Sequence, residues 1–217
     1  MTILLFGATG NAGGAVLKAC LADPGVTEVR AVTRRPPAAT HPKLRVVPHQ
    51  DYQDYSPIRA AFQGVDTCLF CLGISVRQVG GEAEYRRITI DFPMAAARML
   101  LAESPGAIFQ YVSGHGASAR SRMMWARVKA EAEAALREAV GANAWRPAFI
   151  VGADSGSKLT IYQWMRPLFR VLSRSRRLYI RGEDIGRGML RATRLRLKGQ
   201  VFENAAIRDL ADHAGEP

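Results

Sequence analysis

The stretch "LLFGATGNAGGAVL", Leu4 to Leu17, constrains this chain more than any other. An apolar run at Ile3–Phe6 precedes it, and an Ala-rich helical pattern from Ala12 to Ala22 follows it. Gly7, Gly10 and Gly13 fall between the two in GxxGxxG spacing. Each glycine has a mechanical reason. Gly7 permits a tight turn off the strand, Gly10 lets backbone approach a bulky anion, and Gly13 lets the helix lie close to the strand. The helix N-terminus then offers unpaired N–H groups and a partial positive charge. Such a unit excludes an all-helical or all-strand fold.

The rest of the chain repeats the alternation. Strands are expected at Val29–Thr33, Leu44–Val47, Thr67–Leu72, Ile108–Val112 and near Ala144–Arg146. Helices are expected from "SPIRAAF", with Ser56 as N-cap and Pro57 in the first turn, within Glu82–Glu103, and over the segment carrying Trp125. Strands alternating with helices predict an α/β fold, a doubly wound parallel sheet covered on both faces. Beyond Val151 the pattern predicts helices at Thr160–Ser173, Asp184–Leu197 and Ala205–His213, with a short strand near Leu178–Ile180. With no repeat or linker, residues 1–217 read as a single domain. Residues 152–217 form a C-terminal elaboration on the substrate side, where Tyr162, Trp164 and Met165 are candidate pocket residues.

A glycine loop in this strand–loop–helix context predicts dinucleotide binding, with Thr9 and Asn11 part of the same phosphate loop. The end of the second strand bears on which dinucleotide. An acid there would bind the ribose of NAD, whereas Arg suits the 2′-phosphate of NADP. The chain reads "VRAVTRRP", with Thr33, Arg34 and Arg35 and no acid. Arg34 is the first choice as phosphate clamp, Arg35 the second, and NADP the expected cofactor.

Composition sets the remaining bounds. With 217 residues, 48% hydrophobic and 23% charged, the chain is ordinary for a globular protein. No apolar run approaches a membrane span, and no basic segment with an apolar core precedes the first strand, so a cytoplasmic protein without membrane contact is expected. Cys68 and Cys71 have CxxC spacing inside an apolar strand, where residues three apart point to opposite faces, so core packing is expected rather than redox chemistry. No metal set is apparent. The net charge of +11 concentrates between Lys158 and Lys198, in Arg interleaved with Leu, Val and Ile. That pattern fits solvated amphipathic faces, and no specific nucleic-acid binding is expected.

These features together resemble the atypical short-chain dehydrogenase/reductases, in the branch of Tat-interactive-protein-like (CC3-like) proteins. The resemblance is carried by the GATGxxG loop, "CLG" at Cys71–Gly73, "YVSGHGA", the "VKAEAEAAL" helix, "WRPAFIVG" and the tail "VFENAAIRDLADHAG". It implies further site residues. Asp51 and Tyr52 would flank adenine; Cys71, Leu72 and Gly73 would line the nicotinamide ribose; Pro147 would belong to a turn passing the nicotinamide. Ser113 would be the catalytic Ser and Lys129 the Lys that holds that ribose.

The resemblance also exposes a gap. The family's proton-donating Tyr lies four residues before its Lys, on the same helix face. Here Trp125 stands at that position, and an indole offers only an N–H donor. His115 is a candidate substitute, because imidazole is the side chain that changes charge near neutral pH. Tyr85 and Tyr111 are others. Two functions follow as expectations: an NADP(H)-dependent reductase of a small carbonyl compound with an altered proton donor, or a non-catalytic NADP(H)-binding sensor or regulatory protein. The substrate and the oligomeric state are not legible.

Overall fold

A computed structural model describes residues 1–151 and 179–213. Its centre is a seven-stranded, wholly parallel sheet in the order β3-β2-β1-β4-β5-β6-β9. The strands are β1 (Thr2–Phe6), β2 (Glu28–Thr33), β3 (Leu44–Pro48), β4 (Thr67–Phe70), β5 (Ile108–Val112), β6 (Asn143–Arg146) and β9 (Val201–Glu203). A separate parallel pair joins β7 (Phe149–Val151) to β8 (Tyr179–Arg181). The doubly wound α/β fold expected from the alternation is the fold observed.

Period-two alternation builds a core on each face. Ile3 and Leu5 of β1 enter one cluster with Val16, Cys20, Ile185 and Met189. Leu4 and Phe6 enter the other with Phe62, Phe70, Ala96 and Leu136. The first cluster is covered by α1 (Asn11–Ala22), α5 (Gly182–Arg194) and α6 (Asn204–Asp212). The second is covered by α3 (Phe92–Glu103), α4 (Met124–Val140) and the Ser56–Phe62 segment. Cys68 and Cys71 divide between the two clusters, and burial pushes both thiols up. They are core residues, as the strand period requires.

Several boundaries differ from the sequence expectation. Ser56–Phe62 is a 3-10 helix with a break at Ile58, and Ser56 does not cap it; its N–H is instead held by the Asp54 carboxylate at 2.9 Å. The strand expected at Thr67–Leu72 ends at Phe70, although the Cys71 N–H still reaches the Phe6 carbonyl at 3.1 Å. The helix within Glu82–Glu103 divides into α2 (Glu82–Arg86), a π-helical stretch at Arg87–Asp91, and α3. Pro93 supplies the reason: it lacks the N–H that would serve the Thr89 carbonyl in an α-helix. The Tyr111 hydroxyl donates to that carbonyl at 3.3 Å instead. The expected helix at Thr160–Ser173 lies outside the described residues, as do Tyr162, Trp164 and Met165.

Candidate functional site

The strand order reverses between β1 and β4, so the crevice beyond their carboxyl ends is where a doubly wound fold binds its ligand. Gly7 turns off β1 with φ +79°. A Cβ on it would stand 2.7 Å from the backbone of Cys71 and Leu72, so the two strand ends touch. Gly13 is tighter still: its Cβ would lie 2.0 Å from the Gly7 carbonyl oxygen. Gly10 is the exposed N-cap of α1, and no side chain caps the helix. The first-turn N–H groups, beside exposed Thr9 and Asn11, are thus left for a ligand. This cradle fits a pyrophosphate.

At the end of β2, the Thr33 hydroxyl donates to the Arg35 carbonyl at 2.5 Å and curls the chain. Arg34 and Arg35 are both exposed there, and neither guanidinium has a carboxylate partner among the described residues. Tyr52 is only 5% exposed, its ring among Phe6, His49, Tyr55 and Phe92, with its hydroxyl against the Arg34 backbone. Asp51 is exposed, and its carboxylate accepts the Gln53 N–H at 2.9 Å. Of this pair, Asp51 is accessible to a ligand, whereas Tyr52 is a core residue that supports Arg34. Leu72 is half-buried, and Gly73 is exposed with open space around it.

The loop after β5 carries the reacting side of the site. Its backbone is pinned by hydrogen bonds from Ser113 N–H to the Trp145 carbonyl (2.7 Å) and from His115 N–H to the Pro147 carbonyl (3.1 Å). The Ser118 N–H closes it onto α4 through the Ala126 carbonyl at 3.1 Å. The Ser113 hydroxyl is buried and has no hydrogen-bond partner among the described residues. Buried polar atoms are nearly always paired, so this one points to a ligand.

Lys129 packs its stem beside Gly114, and its ammonium lies 5.4 Å from the centre of the Tyr111 ring. Burial lowers its pKa to about 8, with nearby Glu133 opposing the shift. Trp125 is half-buried, its ring edge 3.8 Å from where a Cβ on Gly116 would sit. Ser113, Lys129 and Trp125 therefore gather around one loop. His115 turns instead toward Glu203 of β9, with Nδ1 3.5 Å from its carboxylate. Tyr85 and Tyr111 are buried, and burial pushes both phenols up.

Sequence reasoning missed a charged network behind Lys129. Glu133, one turn along α4, is 7% exposed and takes a two-pronged contact from Arg146 on β6, with Nε–Oε1 3.0 Å and Nη2–Oε2 2.6 Å. Arg146 also reaches Glu203 at 2.9 Å, and Glu203 in turn meets His115. The available signal was a Glu four residues after the Lys on the same helix face.

A family model described as NAD(P)H-binding matches residues 7–142, more than half of the chain. The chain belongs to this NAD(P)H-binding family. The rat protein HTATIP2 is 29% identical over 143 residues, covering 63% of this chain and 57% of the relative. The mitochondrial protein fmp52-2 of Aspergillus oryzae is 30% identical over 98 residues, covering 45% and 43%. The chain thus spans about half the length of the curated relatives it matches. Among solved structures, the dTDP-glucose 4,6-dehydratase DesIV of Streptomyces venezuelae, described with NAD bound, superposes with a TM-score of 0.73 at 17% identity, covering 99% of this chain and 80% of that one. The Bordetella bronchiseptica enzyme WbmF, described with NAD+, gives 0.70 at 15%, covering 99% and 77%. At such identities these likenesses establish the fold. The chain is therefore an NAD(P)H-binding protein. No described helix is long and apolar enough to cross a membrane.

Proposed function

We propose that this protein is an NADP(H)-dependent reductase of a small carbonyl compound, working without the family's Tyr. The observation that carries the reading is the buried Ser113 hydroxyl, without a hydrogen-bond partner among the described residues, on the loop against which Lys129 packs its stem. When bound, NADPH supplies the hydride. The chain's own residues do the rest. First-turn N–H groups of α1 take the pyrophosphate, and Arg34, backed by Arg35, takes the 2′-phosphate. Asp51 lies toward adenine, and Cys71, Leu72, Gly73 and Pro147 line the nicotinamide side.

Ser113 donates to the substrate oxygen, and Trp125 narrows the space where the family's Tyr would stand. In this reading the whole chain is one domain, with residues 152–217 contributing the substrate side. Free, largely buried cysteines favour a reducing, cytoplasmic setting. The second reading, a non-catalytic NADP(H) sensor, is favoured by Trp125. The test is turnover: NADPH oxidation is followed across aldehydes, ketones and quinones, with cofactor binding measured separately by calorimetry. Tight NADPH binding with no turnover on the whole panel would leave the sensor.

A further inference from the structure

The family's Tyr is missing, yet a carbonyl reduction needs a proton. Among the described residues Lys129 makes no hydrogen bond or ion pair; its ammonium rests over the Tyr111 ring beside Gly114. Its natural counterion would be Glu133, four residues along the same helix face. That carboxylate is already held by the Arg146 fork, whose second arm holds Glu203. Among the described residues, the other groups near this region are Tyr111 on β5, Tyr85 on α2 and the Ser113 hydroxyl, all uncharged while the phenols stay protonated. The cation is therefore compensated only in part, by the Tyr111 ring and by a Glu133 that Arg146 already holds.

We propose that Lys129 delivers the proton in place of the missing Tyr hydroxyl, and that Arg146 is the positioning residue that makes this possible by keeping Glu133 away from it. The inference rests on the reductase reading. In the step, hydride from bound NADPH forms the new C–H bond as the carbonyl π bond breaks. One Nζ–H bond of Lys129 breaks as the O–H bond forms. The carbonyl is reduced to an alcohol, NADPH is oxidised to NADP+, and neutral Lys129 regains its proton from water. An ammonium that loses its proton near neutral pH suits this task, because an acid works best with a pKa close to the working pH. Burial lowers Lys129 in that direction.

The test has a readout independent of turnover: the 13Cε shift of Lys129 in lysine-labelled protein, followed with pH by NMR. Lys129 should titrate at about pH 8, about two units below the ordinary lysine value. In Arg146→Met, the freed Glu133 carboxylate should raise that midpoint by one unit or more, and Arg146→Lys should restore most of it. Should Arg146→Met fold poorly, Glu133→Gln serves instead: it removes the acid that opposes the burial shift and should lower the midpoint further. The alkaline limb of NADPH-dependent reduction should move with the NMR midpoint in every variant. In an active enzyme, Lys129 titrating with the other lysines, or a limb that ignores these variants or follows His115→Ala, overturns the inference and leaves the reductase reading standing. Cofactor binding without any carbonyl reduction overturns both.

Discussion

A Cβ on Gly13 would stand 2.0 Å from the carbonyl oxygen of Gly7. The phosphate loop is thus closed by two glycines, and the helix cannot be that near the strand with any other residue at position 13. Gly13→Ala should force α1 away from β1 and destabilise the fold by about 1–3 kcal/mol, the usual cost of overpacking. Gly14→Ala is the matched control. Its Cβ would lie 3.4 Å from the Ala8 oxygen, at the edge of ordinary contact, and alanine favours helix. Thermal unfolding and NADPH calorimetry should separate the two variants.

Arg34 should set the cofactor preference. Wild type should bind NADPH more tightly than NADH, and Arg34→Glu should lose that advantage. A charged hydrogen bond contributes about 1.5–3 kcal/mol, which corresponds to about 10–100-fold in affinity. Calorimetry with both cofactors decides it, and equal wild-type affinities would refute the NADP assignment.

Ser113→Ala should separate function from stability. Because the hydroxyl has no protein partner among the described residues, its removal should leave the unfolding free energy within about 0.5 kcal/mol of wild type or slightly higher. Carbonyl reduction should nevertheless fall by about 10²-fold, the lower end for loss of a catalytic donor. A large drop in stability would show that the hydroxyl is structural.

Trp125→Tyr should change the pH dependence more than the maximum rate. Wild-type reduction requires protonated Lys129, so its rate should decline as pH rises through about 8. The Tyr variant regains a hydroxyl beside that lysine, and should keep its activity to higher pH. Stopped-flow NADPH oxidation from pH 6 to 10 checks this; identical profiles would mean that the new hydroxyl does not carry the proton.

Much of this was legible in the chain. Strands such as Ile108–Val112 are buried along their whole length, so they read as continuous apolar runs, and the glycine spacing located the cradle. Other parts were not legible for physical reasons. β9 is three residues, "VFE", of which only Phe202 is buried, too short to show a period. The π-helical stretch follows from a Pro93–Thr89 conflict that needs the Tyr111 hydroxyl, on a distant strand, to resolve it. Glu133 and Arg146 meet across a helix and a strand, where sequence spacing carries no information. Tyr52 was implied as a ligand contact by the family resemblance alone, which does not show the four aromatic neighbours that draw it inward.

The glycines of α5 carry a consequence for how the protein comes to exist. A Cβ on Gly182 would stand 2.4 Å from the Ala15 Cβ, and one on Gly186 2.6 Å from the Ala19 Cβ, so α5 lies directly against α1. The helix that presents the phosphate loop is therefore braced by a segment made more than 160 residues later. On the ribosome, β1 and α1 emerge well before α5 and wait with the apolar face that α5 covers exposed until it arrives. Contacts of such long range make folding slow and expose the nascent chain to misassociation. A ligand that binds the cradle would favour the closed pairing of early and late segments, and cellular cofactor supply would then govern how much of the newly made chain survives.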